Sequence, residues 1–174
     1  SAVDRAAREV INSAGFGVTR EITSFRHAVM LMGLKKRFRW AALLLTASRT
    51  GGVPSSLGQT AVVRGRLMEL LAQDCMPPEE ADQAFVTGIF SLLDVMLGMP
   101  MDEALKLLSV PEPVADALQH RQGPLGDLLT LAEACESNDD AAFDRTAATL
   151  HLSSQQINFA HLQALAWVDH LIDT

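Results

Sequence analysis

GIFSLLDVMLG, residues Gly88 to Gly98, is the stretch that decides the fold. It is mostly apolar but contains Ser91 and Asp94, so it predicts either a helix that holds a catalytic acid or a packing helix with a polar edge. On a helix that includes the preceding turn, the polar positions share one face at three- and four-residue steps. The apolar positions share the other face: Phe85, Ile89, Leu92, Leu93 and Met96. No partners that converge on Asp94 can be named. We therefore predict a buried central helix, part of a longer one from about Glu79 to Leu97.

The remaining segments also predict helices. No segment alternates with a period of two, so we predict an all-α protein, a compact multi-helix bundle with no sheet. Ser153 and Gln156 form a capping box before the last helix. The chain is expected to form a single domain over 1–174, or two helical subdomains joined near 50–58, where TGGVPSSLG predicts a linker. The other predicted helices are Val3–Asn12, Phe25–Gly33, about Lys35–Ser48, Gln59–Gln73, three beginning near Pro100, Pro111 or Pro113, and Pro124, then Asp140–Leu150 and Ser153 to the end.

Composition excludes several classes of protein. The 174 residues are 48% hydrophobic and 20% charged, as in globular proteins. The net charge of -7 argues against general nucleic-acid binding. No apolar run reaches the length of a membrane span, and the first residues lack the apolar region of a signal peptide. Cys75 and Cys135 show no metal-ligand spacing and are expected to be reduced thiols. Together these features predict a cytoplasmic protein.

The sequence shows no assembled catalytic or metal-binding set. There is no G-x-S-x-G elbow, and no histidine lies near Ser91 and Asp94 in sequence. The glycines of NSAGFG, residues 12–17, match neither phosphate-binding fingerprint. His161 and His170 are nine residues apart and face roughly opposite sides of a helix, so they are not expected to share a metal. We expect no catalytic residue, no metal and no cofactor.

One basic cluster stands out in this acidic chain. KKRFRW places four cations beside two aromatic residues, which predicts either an interaction patch for a protein or an anion or, as we favour, a solvated face with partly packed rings. The candidate patch residues are Lys35, Lys36, Arg37, Arg39 and Trp40.

The N-terminal stretch VINSAGFGVTREITSFRHAVMLMGL resembles the HDOD family of bacterial signalling domains, in which an N-S-A-x-F loop leads into a helix that ends in glycine. AFVTGIFSLLDVMLGMPMDEAL and GPLGDLLTLAEACESND resemble the version of this domain that follows an EAL domain, a cyclic-di-GMP phosphodiesterase-like domain. The resemblance covers roughly residues 10–140. The family-motif positions are Asn12, Ser13, Ala14, Phe16, Ile22, Ser24, Ala28, Leu31, Gly33 and Gly88.

This resemblance implies a regulatory role without catalysis. HDOD domains resemble HD-type metallophosphohydrolases, whose central helix carries a metal-binding His-Asp pair after a glycine and two apolar residues. In this chain Ser91 and Leu92 follow Gly88, Ile89 and Phe90. The implied function is signal transduction through protein–protein contacts in cyclic-di-GMP signalling, with another protein or an N-terminal EAL-like domain outside this chain as the partner. The alternatives are a metal-dependent HD-type phosphohydrolase and a nucleotide-sensing domain that uses the basic cluster.

Overall fold

The computed structural model describes residues 49–50, 53–54, 56–106 and 110–173. The predicted helices before Arg49, the motif positions from Asn12 to Gly33 and the basic cluster Lys35–Trp40 lie outside the described residues. Eight helices occur in the described part of the chain: α1 Ser56–Cys75, α2 Pro78–Phe90, α3 Leu93–Leu97, α4 Met101–Lys106, α5 Glu112–His120, α6 Gly123–Ser137, α7 Asp140–Leu150 and α8 Ser154–Asp173.

The all-helical prediction is confirmed. Across the described ranges, the only extended pairing is between two antiparallel two-residue strands, β1 Arg49–Thr50 and β2 Val53–Pro54. Arg49 lies opposite Pro54, and Thr50 lies opposite Val53. This short hairpin stands directly before α1 and adds no layer to the helical bundle.

Helix α1 is the centre of the bundle. It packs against α2, α6 and α8, while α6 also packs against α5 and α7. Burial on several sides explains why α1 has apolar residues around most of its circumference. The largest fully buried apolar side chains of the bundle are Phe90, Leu67, Met68, Leu71, Leu128, Leu129, Leu131, Ile157, Val62 and Val114.

The helix ends follow local chemistry that the sequence already displays. Pro77 and Pro78 open α2, and two glutamates in its first turn complement the helix dipole. Ser153 and Gln156 exchange hydrogen bonds of 2.8 and 3.1 Å between the side chain of one and the backbone N–H of the other, which confirms the predicted capping box. The side chain of Asp139 caps α7 by accepting a hydrogen bond from the backbone N–H of Ala142.

Two predicted boundaries were wrong. Helix α1 begins at Ser56, inside the predicted linker. In its first turn the hydroxyl of Thr60 donates a hydrogen bond to the carbonyl oxygen of Ser56 at 2.8 Å. The long helix predicted to reach Leu97 instead breaks at Ser91 and Leu92. Leu92 leaves the helical region, with φ −111° and ψ 12°, and α3 starts after it.

Helices α1 and α2 cross with their backbones in contact at Gly65 and Gly88. A Cβ atom on Gly88 would lie 2.5 Å from both the Cα and the N of Gly65. A Cβ atom on Gly65 would lie 2.9 Å from Cγ1 of Ile89. Side chains normally hold helix axes 8–10 Å apart, so only a pair of glycines permits this closer approach. The crossing buries even the polar side of α2, including Thr87 and Ser91.

We predict that Gly88→Ala destabilises the fold by about 3 kcal/mol, because the new methyl group meets backbone atoms that no rotamer change can move away. The matched control is Gly98→Ala. Gly98 has open space around it but a φ of 65°, so this change costs only about 1 kcal/mol of backbone strain. Urea unfolding followed by circular dichroism measures both values. Equal losses for the two variants would contradict the close crossing.

Candidate functional site

Ser91 lies at the C-terminal end of α2, next to the crossing with α1. Its side chain is buried, and its hydroxyl donates to the carbonyl oxygen of Gly88 at 2.6 Å. The same hydroxyl accepts a hydrogen bond from Nη1 of Arg64 at 3.1 Å. The predicted polar edge of the central helix is therefore an internal contact rather than a solvated face.

Arg64 connects three helices at this point. It stands on α1, one residue before Gly65, and reaches both Ser91 and Glu136 of α6. Its Nε lies 2.7 Å from Oε1 of Glu136, and its Nη2 lies 2.7 Å from Oε2. This two-pronged geometry is the strong form of an arginine–carboxylate pair. The Arg64 side chain is 11% exposed and that of Glu136 is 27% exposed.

Charges around Arg64 hold it in the ionised form. Burial disfavours the charged guanidinium, but the hydrogen bond and charge of Glu136, with the charges of Glu133 and Asp94, raise the pKa of Arg64 above its ordinary value. Asp94 takes part only through its charge. Its Oδ1 atom is buried and has no hydrogen-bond partner in the described part of the chain.

The arrangement does not activate Ser91 as a nucleophile. A serine nucleophile needs a base that accepts its proton, and the proton of Ser91 is directed at the carbonyl oxygen of Gly88. The other neighbour, the guanidinium of Arg64, has donors only. Leu92, the next residue, is half-buried and offers a hydrocarbon side chain. Ser91, Arg64 and Glu136 therefore form a structural contact between three helices that is centred on the guanidinium of Arg64. We call it the Arg64 junction.

No group of three or more histidine, cysteine or acidic side chains could hold a metal ion within the residues that the structure describes. His161 is half-buried on α8, whereas His120, His151 and His170 are exposed. Cys75 and Cys135 are both free and half-buried.

A second cluster, centred on the guanidinium of Arg66, lies where α1 meets α8 and was not predicted from the sequence. Nη1 of Arg66 is 2.9 Å from Oε1 of Glu69, whose side chain is almost fully buried. The guanidinium carbon of Arg66 stands 5.3 Å from the ring centroid of Trp167, and that ring meets Phe85 edge-on at 6.3 Å. The sequence signal for this cluster is Glu69, a glutamate that stands among the apolar residues of α1.

An open cleft of about 350 Å³, which no sequence pattern indicated, lies between the N-terminal turns of α2, α5 and α6. Three carboxylates face it, and their charges offset the positive ends of these helices. Its lining consists of Glu80, Gln83, Glu112, Pro113, Asp116, Gln122, Gly123, Pro124 and Leu125.

Of the positions singled out on the central helix, the structure describes Gly88, Ser91, Leu92 and Asp94, and it places them at or just after the crossing with α1. Gly88 has a packing role, since it forms the backbone contact with α1. The contacts of Ser91 with Arg64 and of Arg64 with Glu136 could not be found from sequence, because 27 and 72 residues separate the partners.

Comparison with known proteins gives two distant relatives. The chain is 26% identical over 157 residues to the cyclic di-GMP phosphodiesterase CdgJ of Vibrio cholerae, which covers 90% of this chain and 36% of CdgJ. It is 29% identical over 168 residues to the uncharacterized protein YuxH of Bacillus subtilis, which covers 94% of this chain and 40% of YuxH. The chain thus spans less than half the length of these relatives. No protein-family model and no solved structure matches it.

None of the helices described in the structure is both long enough and apolar enough to cross a membrane.

We predict that Glu136→Gln lowers the free energy of unfolding by about 1.5 kcal/mol, because it leaves the largely buried charge of Arg64 without its counter-charge. The matched control is Glu133→Gln, also on α6. Glu133 pairs with Arg121 at 2.8 Å, but both side chains are more than one third exposed, so its loss costs at most about 0.5 kcal/mol. Urea titrations compare the two. A larger loss for Glu133→Gln would contradict the importance of the Arg64 junction.

The cysteines give a pH-dependent prediction. Burial and the neighbouring charge of Glu136 raise the pKa of Cys135 to about 11, and burial with the charge of Asp74 also raises that of Cys75. Since the thiolate is the reactive form, both thiols should react with iodoacetamide more slowly at pH 8 than in the urea-unfolded chain. By linkage, the stability due to the protonated thiols is complete below the unfolded pKa and is lost as pH rises towards 11. Mass spectrometry measures alkylation. Equal rates for Cys135 in the folded and unfolded chains would contradict the shift.

Proposed function

We propose that this chain is a regulatory module of cyclic-di-GMP signalling that acts through protein–protein contacts and catalyses no reaction of its own. The observation that carries the proposal is the engagement of Ser91. By the resemblance to HDOD domains, Ser91 occupies the place of a metal-binding histidine in active HD-type relatives. Here the O–H of Ser91 is directed at the carbonyl oxygen of Gly88, and one of the two lone pairs of its oxygen accepts a hydrogen bond from Arg64.

The guanidinium of Arg64 supports the same proposal. A metal site at this junction would need to accommodate a divalent cation beside a permanent positive charge, which is unfavourable at short range. Glu136, the nearest carboxylate, is already committed to Arg64 through both oxygens. Asp94 contributes a buried oxygen, Oδ1, that has no hydrogen-bond partner in the described residues. The junction therefore favours packing over metal-assisted hydrolysis.

The link to cyclic-di-GMP signalling is inferred from a relative. CdgJ is named as a cyclic di-GMP phosphodiesterase, and the matched region covers 36% of it. We infer that the catalytic part of CdgJ lies in the unmatched remainder and that the matched region regulates it. This chain would perform the corresponding regulatory task. The other relative, YuxH, has no function in its name.

The test of the absent activity uses the purified chain with cyclic di-GMP and with a generic phosphodiester, each in the presence of Mg²⁺ or Mn²⁺. We expect no hydrolysis, measured by chromatography of the nucleotide products. Metal-dependent hydrolysis that disappears in Asp94→Asn would overturn the proposal in favour of the HD-type phosphohydrolase.

The regulatory role is tested in the complete gene product. We expect its cyclic-di-GMP phosphodiesterase rate to change when the region of this chain is deleted, and to change in the same direction in Glu136→Gln, which loosens the Arg64 junction. Glu133→Gln is the control and should change the rate less, because Glu133 acts on Arg64 only through its charge, whereas its hydrogen bond is to Arg121. Identical rates in all forms would contradict regulation by this module.

The nucleotide-sensing alternative is distinguished by calorimetry of the chain with cyclic di-GMP. It rests on the cluster of Lys35, Lys36, Arg37 and Arg39, which lies outside the described residues. Heat of binding that is lost when these cations are reversed to glutamate would favour the sensor over a module that acts through protein contacts alone.

A further inference from the structure

Helix α8 presents an apolar stripe to solvent. Phe159 is 64% exposed, Leu162 is 66% exposed and Leu165 is 41% exposed, and Ala166 beside them is also exposed. Single exposed apolar residues are common, but three large ones within seven residues of one helix form a continuous surface. We call these four residues the α8 stripe.

The opposite face of α8 is also apolar. It packs against α1 and contributes the buried residues Ile157, Ala160, Ala164 and Val168. A helix that only covers a core needs one apolar face and a polar outer side. The outer side of α8 is therefore not explained by the packing of this bundle.

The electric charge of the molecule limits what can cover the α8 stripe. Residues 56–174 contain eighteen aspartates and glutamates but only five lysines and arginines. Within this acidic part, the fifteen residues from Ser154 to Val168 contain no charged side chain of these four types. A basic partner would be attracted to the acidic surfaces elsewhere. A second copy of this chain, with the same net charge of -7, approaches most favourably where like charges do not face each other.

The ends of α8 complement each other when two copies lie antiparallel. Asp169 and Asp173 are exposed and follow the α8 stripe at helical spacing, and Gln155 precedes it on the same side. Leu162 lies seven residues from Asp169 and seven from Gln155, so a two-fold axis at Leu162 brings the acidic end of one helix over the first turn of the other. The unpaired N–H groups of that turn favour a negative charge.

We propose that α8 is a self-association surface, on which a second copy of this chain packs antiparallel across Phe159, Leu162, Leu165 and Ala166. The surface is isologous, because the same stripe is used by both copies. This proposal does not rest on the regulatory function, since it concerns only how the chain meets itself.

The first test is sedimentation equilibrium of the whole chain over a range of concentrations. One helix face is smaller than the roughly 800 Å² per partner of a standard interface, so we expect a weak dimer with a Kd on the order of 10 µM. Leu162→Glu should weaken the dimer by at least about tenfold, because it places two carboxylates at the axis. The control is Val95→Glu, which alters another large exposed apolar side chain, 59% exposed on α3, and should leave the Kd unchanged.

Three results of sedimentation equilibrium, combined with thermal melts of the same variants, would overturn the proposal. A wild-type chain that is monomeric throughout excludes self-association. If that monomer also loses thermal stability on Leu162→Glu, the stripe is covered by another segment of the same chain. If it does not, the stripe serves a different partner. A dimer that Val95→Glu weakens as much as Leu162→Glu uses another surface.

The second test fixes the geometry by disulfide cross-linking. Leu162→Cys is introduced into a chain that also carries Cys75→Ser and Cys135→Ser, and the protein is oxidised under non-denaturing conditions. We expect covalent dimers, because the two copies of position 162 meet at the axis within the reach of a disulfide. Val95→Cys in the same background is the control and should remain monomeric on a non-reducing gel. Dimers that form in solution but do not cross-link through position 162 would contradict the antiparallel arrangement.

Discussion

The contact of two backbones at Gly65 and Gly88 is the constraint on which the rest of this bundle depends. A Cβ atom on Gly88 would come within 2.5 Å of the partner backbone, so the two helices meet without an intervening layer of side chains. Two polar residues of α2 near this contact, Thr87 and Ser91, are buried. Thr87 and Ser91 satisfy their hydroxyls within their own helix, by donating to the carbonyl oxygens of Gln83 and Gly88 at 2.8 and 2.6 Å.

The charge beside this crossing is a direct result of the same geometry. Arg64 immediately precedes Gly65, so its side chain leaves α1 at the point where α2 is nearest and reaches Ser91. A cation in this position is tolerated only because a carboxylate meets it with good geometry, and Glu136 provides that contact from α6. The crossing thus joins α1 and α2 through their backbones, and Arg64 joins α6 to them through an ion pair. All of these contacts lie within a few residues of Ser91, on the predicted polar edge of α2.

Local signals predicted the parts of the fold that depend on neighbouring residues. The capping box at Ser153 and the bounds of α7 could be read from sequence, because each is decided by side chains within one turn. The break after Ser91 could not, since the apolar stripe continues through it while the backbone turns under tertiary packing. The pairing of Arg64 with Glu136 also escaped prediction, because a sequence does not show which of eighteen acidic residues in this part of the chain a cation meets across 72 positions. Asp94 drew attention as a candidate acid, whereas the residue that organises the junction is the arginine.

The glycine crossing also sets the mechanical character of the molecule. Helices separated by side chains can shift past each other when rotamers change, which absorbs small displacements as in shear motion. Two backbones in contact have no such compliant layer, so we expect α1 and α2 to resist sliding past each other at Gly65 and Gly88. Helix α8 meets α1 through side chains, among them Ile157, Ala164 and Val168, so the same stiffness does not extend to that contact. The bundle therefore combines one stiff crossing, at Gly65 and Gly88, with a side-chain contact between α1 and α8 that can adjust.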